Sequence, residues 1–164
     1  MVSVLVMTLL VALAYSDLRR RRLPNRLVGM YAVLCPVALW ASGAAPATWL
    51  QHGLVALLGF VFFLALFVLG GMGGGDVKLA TAVLGWTGVS ALSQSLLLIA
   101  LTGLMLAVIG VTADKLSGSE TKNVVAARTP WEKALFLLSA KRGVPYGVAL
   151  AMGGMASLPV YWRY

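Results

Sequence analysis

Six apolar stretches run through this 164-residue chain: Val2–Tyr15, Leu27–Ser42, Gly53–Leu69, Leu79–Leu92, Ser95–Ala113 and Val144–Tyr161. In hydrocarbon, every backbone N–H and C=O must be satisfied within the segment, so runs of this kind read as helices lying in a lipid bilayer. Several are shorter than the roughly 20 residues that cross a bilayer comfortably. Their polar ends then lie in the interface, or the bilayer thins around them. Hydrophobic residues make up 60% of the chain and charged ones 11%, against about 45–50% and 25% in soluble domains. Gly, Ala, Ser and Thr recur in all six stretches, which suits close helix packing in lipid. The expected fold is all-α: one membrane-embedded domain over residues 1–164, a polytopic bundle of about six transmembrane helices.

The net charge of +8 sits in short loops. It therefore points to orientation and to anionic lipid headgroups as partners, and not to nucleic acid. Arg19, Arg20, Arg21, Arg22 and Arg26 follow the first stretch. Lys78 precedes the fourth, and Lys115, Lys122, Arg128, Lys133, Lys141 and Arg142 follow the fifth. With six spans these loops share one side, which holds 12 of the 13 basic residues and all five acidic ones; only Arg163 lies opposite. The positive-inside rule makes that side cytoplasmic and both termini external. Met1–Tyr15 lacks a basic n-region and an A-x-A site, so it reads as a retained first span and not a signal peptide. In the last cytoplasmic loop, Leu116–Ala127 lacks periodicity. Thr129-Pro130-Trp131-Glu132 is a capping box with Pro at the first helical position, which predicts a short interfacial helix over Pro130–Ala140.

Before the fourth stretch comes Gly70-Gly71-Met72-Gly73-Gly74-Gly75-Asp76-Val77-Lys78. Each glycine costs a helix about 1 kcal/mol relative to Ala, so a glycine-broken segment is expected here. Gly73, Gly74 and Gly75 would let backbone approach an extended peptide and pair with it as an added strand. The break carries a carboxylate, Asp76, and the topology puts Asp17, at the end of the first span, at the same depth. If helices one and four touch, the two carboxylates face one cavity. Such a pair tends to share one proton. The ionised member can take a proton from water while the protonated one donates to a carbonyl oxygen, which hydrolyses a peptide bond without a nucleophilic side chain. Lys78 and Arg19 are the cations expected to bias which carboxylate stays ionised.

Plainer roles stand beside these. Asp17 can end a helix against an arginine, Asp76 can cap the next helix, the glycines can form a packing hinge, and Arg19–Arg22 can be a topology signal. Cys35 and Pro36 are expected to pack and kink helix two. A single Cys, Cys35, allows no internal disulfide and no CxxC zinc site, and His52 has no second His to form a metal pair. No metal and no cofactor are called for.

Asp17-Leu18-Arg19-Arg20-Arg21-Arg22-Leu23-Pro24-Asn25 resembles the first aspartate motif of the type IV prepilin peptidases. Gly71-Met72-Gly73-Gly74-Gly75-Asp76-Val77-Lys78 is similar to their GxGD motif, and Val144–Ala151 to the proline-containing start of their last span. The resemblance implies a membrane aspartic endopeptidase that cuts the basic leader from prepilins, ahead of the pilin's hydrophobic helix. It would act on the cytoplasmic side of the bacterial inner membrane without a metal. Asp17 and Asp76 would be catalytic, with Pro24, Asn25, Gly73, Gly74, Gly75 and Lys78 supporting the substrate. Longer members carry paired CxxC motifs and also methylate the new N-terminus. This chain starts at the first span with one Cys, so methyl transfer is expected to be absent, as in the branch serving tight-adherence (Flp-type) pili. Archaeal preflagellin peptidases share the motifs. Two other readings use the same acids: a transporter or assembly subunit with an ion-binding aspartate pair, and a presenilin-type GxGD intramembrane protease.

Overall fold

A computed structural model of the chain describes residues 2–116 and 145–161. They form six helices: α1 (Val2–Arg20), α2 (Asn25–Ala41), α3 (Pro46–Val68), α4 (Gly74–Thr87), α5 (Leu92–Leu116) and α6 (Tyr146–Tyr161), with no strand among the described residues. By length and composition α1, α3 and α5 can cross a membrane, and α2 and α6 are shorter apolar helices. The fold is a helical membrane bundle. The interfacial helix expected over Pro130–Ala140 lies outside the described residues, as does the loop expected over Leu116–Ala127 beyond its first residue.

The shortest helix is the most enclosed. At 1.5 Å per residue, α4 is about 21 Å long, short of the roughly 30 Å hydrocarbon core. It packs against α2, α3 and α6, with Val77, Leu79, Ala80, Ala82, Val83, Leu84, Trp86 and Thr87 all buried. A helix end inside a bundle must have its orphan carbonyls satisfied. Here the Gly85 carbonyl accepts from His52 Nδ1 at 2.7 Å and from Cys35 Sγ at 3.4 Å. Trp86 Nε1 in turn donates to the Tyr31 carbonyl at 2.9 Å. His52 and Cys35 are thus structural groups that join α3 and α2 to the end of α4. Pro36 lies inside α2, which continues past it.

Helix boundaries depart from the sequence expectation in instructive places. The third helix begins at Pro46, not Gly53: Pro46 stands in its first turn, where a missing N–H costs nothing. Gln51 and His52 interrupt the apolar run without interrupting the helix. The first helix runs on to Arg20, so Asp17 lies within its last turn. The fourth helix begins at Gly74, not Leu79. Gly74 and Gly75 are therefore helical, and the break is confined to residues 69–73. Contacts from other segments outweigh propensity there: a Cβ on Gly74 would meet Phe67, and one on Gly75 would meet Leu23, each at 3.4 Å.

Helix α6 runs through the middle of the bundle, packed on α1, α4 and α5. Small residues make this possible. A Cβ on Gly153 would overlap Ile99 and stand 3.1 Å from the backbone oxygen of Ser95. Gly153→Val is therefore expected to force α5 and α6 apart at a cost of roughly 1–3 kcal/mol. The check is a lower thermal unfolding midpoint in detergent; an unchanged midpoint would contradict this packing.

Candidate active site

One end of the bundle gathers the last turn of α1, the loop before α4 and the first turns of α2, α4 and α6. Asp17 is 6% exposed although it carries a carboxylate. The first-turn amides of α6 explain its placement: the N–H groups of Gly147 and Val148 are directed at its carboxyl group. A helix N-terminus is a natural seat for negative charge. The approach is so close that a Cβ on Gly147 would lie 2.8 Å from Asp17 Oδ2 and 2.9 Å from Cγ. Oδ2 itself is sealed from solvent and makes no close hydrogen bond within the described residues.

Asp76 is held differently. Gly73 is the residue preceding α4, with extended backbone at φ −77° and ψ 145°. Asp76 is the third residue of the helix, and its carboxylate turns back to the Gly73 N–H, the geometry by which an acidic side chain caps a helix start. A Cβ on Gly73 would stand 2.9 Å from Asp76 Oδ2. Gly70, at φ +76°, turns the chain from α3 toward this cap, a conformation that glycine adopts without strain.

The two acids meet. Asp17 lies close enough to Asp76 for its charge to act on it. Their helices are linked through α6, which packs on both α1 and α4; those two helices do not pack broadly on each other. Contact of helices one and four is the condition the sequence sets for the two carboxylates to face one cavity, and here a shared neighbour links those helices.

The other expected residues divide. Lys78 Nζ donates to Asn25 Oδ1 at 3.2 Å. This pair ties α4 to the start of α2 and does not reach the aspartates. Lys78 lines a separate cavity of about 300 Å³ with Cys35, His52 and Thr81. Pro24 precedes α2, and its carbonyl accepts from the Leu27 and Val28 N–H groups. Gly73 sits beside Asp76, whereas Gly74 and Gly75 are in α4 and do not present irregular backbone for strand pairing. Arg19, expected to bias the acids, donates to the Tyr15 hydroxyl at 2.6 Å and lies over that ring. The cation that bears on Asp17 is Arg21. Arg21 has φ +53°, a left-handed conformation that costs a side-chain-bearing residue roughly 1–2 kcal/mol. Gly147 and Arg21 were not among the expected site residues. Only a Gly in the first turn after Pro145 marked the former, and nothing set Arg21 apart from its three arginine neighbours.

Next to this site, an apolar groove of about 340 Å³ opens between α3, α5 and α6, lined among others by Phe63, Leu66, Met72, Gly103 and Tyr146. Met72 belongs to the glycine loop, and Tyr146 precedes Gly147, so the groove is lined by two of the segments that carry the site, although neither aspartate lines it. Among the described residues, no three His, Cys, Asp or Glu side chains gather as metal ligands would.

A family model for the type IV leader peptidases matches residues 4–111. The chain belongs to the type IV leader peptidase family. It is thus a membrane protease of the leader-peptidase type. The matched stretch carries both aspartates and the glycine loop, while α6, which seats Asp17 in this leader peptidase, lies beyond it. No curated protein and no solved structure matches the chain.

Proposed function

We propose that this leader peptidase is an aspartic endopeptidase that removes the basic leader from prepilins at the cytoplasmic face of the bacterial inner membrane. The observation that carries the reading is the convergence of Asp17 and Asp76, 59 positions apart in the chain, at one end of the bundle where the Asp17 charge acts on Asp76. One proton shared between them supplies both roles. The ionised carboxylate takes a proton from water as the water oxygen bonds to the scissile carbonyl carbon, and the protonated carboxyl gives its proton to the carbonyl oxygen. The resulting diol collapses as the C–N bond breaks: one hydroxyl proton returns to the carboxylate that gave its proton, and the carboxyl that took the water proton passes it to the leaving nitrogen, which restores the singly protonated pair. The apolar groove lined in part by the glycine loop and the start of α6 suits apolar side chains of the segment that follows a prepilin leader. The concentration of basic residues on one side supports a cytoplasmic site.

The test is incubation of the purified protein in lipid vesicles with a candidate prepilin, followed by mass measurement of the products. A single cut between the basic leader and the apolar helix is expected. An intact substrate alongside a sodium- or proton-dependent flux would instead favour an ion-binding role for the two acids.

A further inference from the structure

Four consecutive arginines follow Asp17, and the structure treats one of them differently. Arg19, Arg20 and Arg22 are exposed; Arg21 is half-buried, with Nε and Nη1 withdrawn from solvent. It is the non-glycine residue with positive φ among the described residues. Its N–H closes α1 on the Asp17 carbonyl at 2.8 Å, and the Ser16 hydroxyl donates to the Arg22 carbonyl at 2.9 Å. The turn is thus tied on both sides of Arg21. Glycine is the usual occupant of such a helix-closing position. An arginine that keeps a left-handed backbone next to a buried carboxylate is explained by what its guanidinium does there.

We infer that Arg21 is a positioning residue, folded back over the end of α1 so that its guanidinium holds the pair's negative charge on Asp17 and leaves the shared proton on Asp76. This rests on the reading of the two acids as a proton-sharing pair. Burial disfavours charge on both acids, and beyond burial their surroundings are unequal in the required sense. Asp17 faces the Arg21 charge and two helix-start amides, Gly147 and Val148. Asp76 faces the Gly73 amide and the Asp17 carboxylate, with Lys78 engaged by Asn25. Cations and aligned N–H groups favour a carboxylate, and a neighbouring carboxylate favours a carboxylic acid. Asp17 is then the base that activates water, and Asp76 the acid that protonates the scissile carbonyl.

The experiment compares Arg21→Gly, Arg21→Gln and Arg21→Lys with the unaltered protein in vesicles, using a prepilin that the unaltered protein cleaves. Glycine relieves the backbone and removes the charge. If Arg21 only closed the helix, Arg21→Gly would match or exceed the parent. A charge role makes Arg21→Gly and Arg21→Gln slower in kcat by on the order of 10²-fold with little change in KM, and Arg21→Lys restores the rate to within about tenfold. Arg21→Gly at the parental rate overturns the inference, and so does Arg21→Lys as slow as Arg21→Gln, or a loss confined to KM. Failure of the unaltered protein to cut any prepilin would count against the peptidase reading itself, which keeps the two failures apart.

Discussion

Asp17→Asn and Asp76→Asn are each expected to lower the rate of leader removal by about 10³-fold or more while leaving membrane insertion and thermal stability close to those of the parent. General acid–base groups commonly contribute about 10²–10⁴-fold. Asn preserves the size of each side chain but can neither take a proton from water nor give one to a carbonyl oxygen. On the proposed mechanism both acids are needed, each performing one half of the same proton exchange. At Asp17 the change also removes a charge from beside Arg21 and the amides of Gly147 and Val148, so its effect should be at least as large as that at Asp76. The measurement is initial cleavage rate on a prepilin in vesicles, with protein yield and unfolding midpoint as controls. A variant that cut at the normal rate would remove its residue from the reaction.

The second large effect is expected at Gly147. An alanine there puts a methyl group 2.8 Å from Asp17 Oδ2 and 2.9 Å from its Cγ, distances that real Cβ contacts do not sustain. Either the Asp17 carboxyl rotates away from Asp76 or the start of α6 retreats. A displacement of about 1 Å in a reacting group costs on the order of 10²-fold in rate, so Gly147→Ala should lose about that much. The unfolding midpoint should hold, because the overlap is with one side chain and not with the bundle core. Gly53→Ala is the matched control: nothing lies within 4 Å of its added methyl, and full activity is expected. Equal activity of the two variants would mean that α6 does not seat Asp17 as described.

Much of this was readable from residue order, and the remainder was not for definite physical reasons. The apolar runs identify the helices because hydrocarbon leaves the backbone no alternative. The boundaries move where side chains from elsewhere intervene. Gly74 and Gly75 should resist a helix on propensity, yet Phe67 and Leu23 pack on them and the helix starts five residues sooner than the apolar pattern suggests. The acids themselves stand out in the sequence, since a carboxylate beside a membrane span requires something to hold it. What holds them does not stand out. The role of Gly147 depends on how near α6 comes to a residue 130 positions earlier. Arg21 differs from Arg20 and Arg22 only in a backbone angle and in the direction its side chain takes. Lys78 shows the opposite case: a cation two residues from Asp76 in sequence is turned by the helix toward Asn25.

The central claim is that the two carboxylates work as one unit, and a double-substitution cycle tests it most directly. Single-turnover cleavage is measured for the parent, Asp17→Asn, Asp76→Asn and the combined variant under identical conditions. Groups that share one chemical step are strongly non-additive, so the combined variant should be no slower than the slower single variant. Losses that multiply would contradict the account, because they would mean that each aspartate contributes on its own.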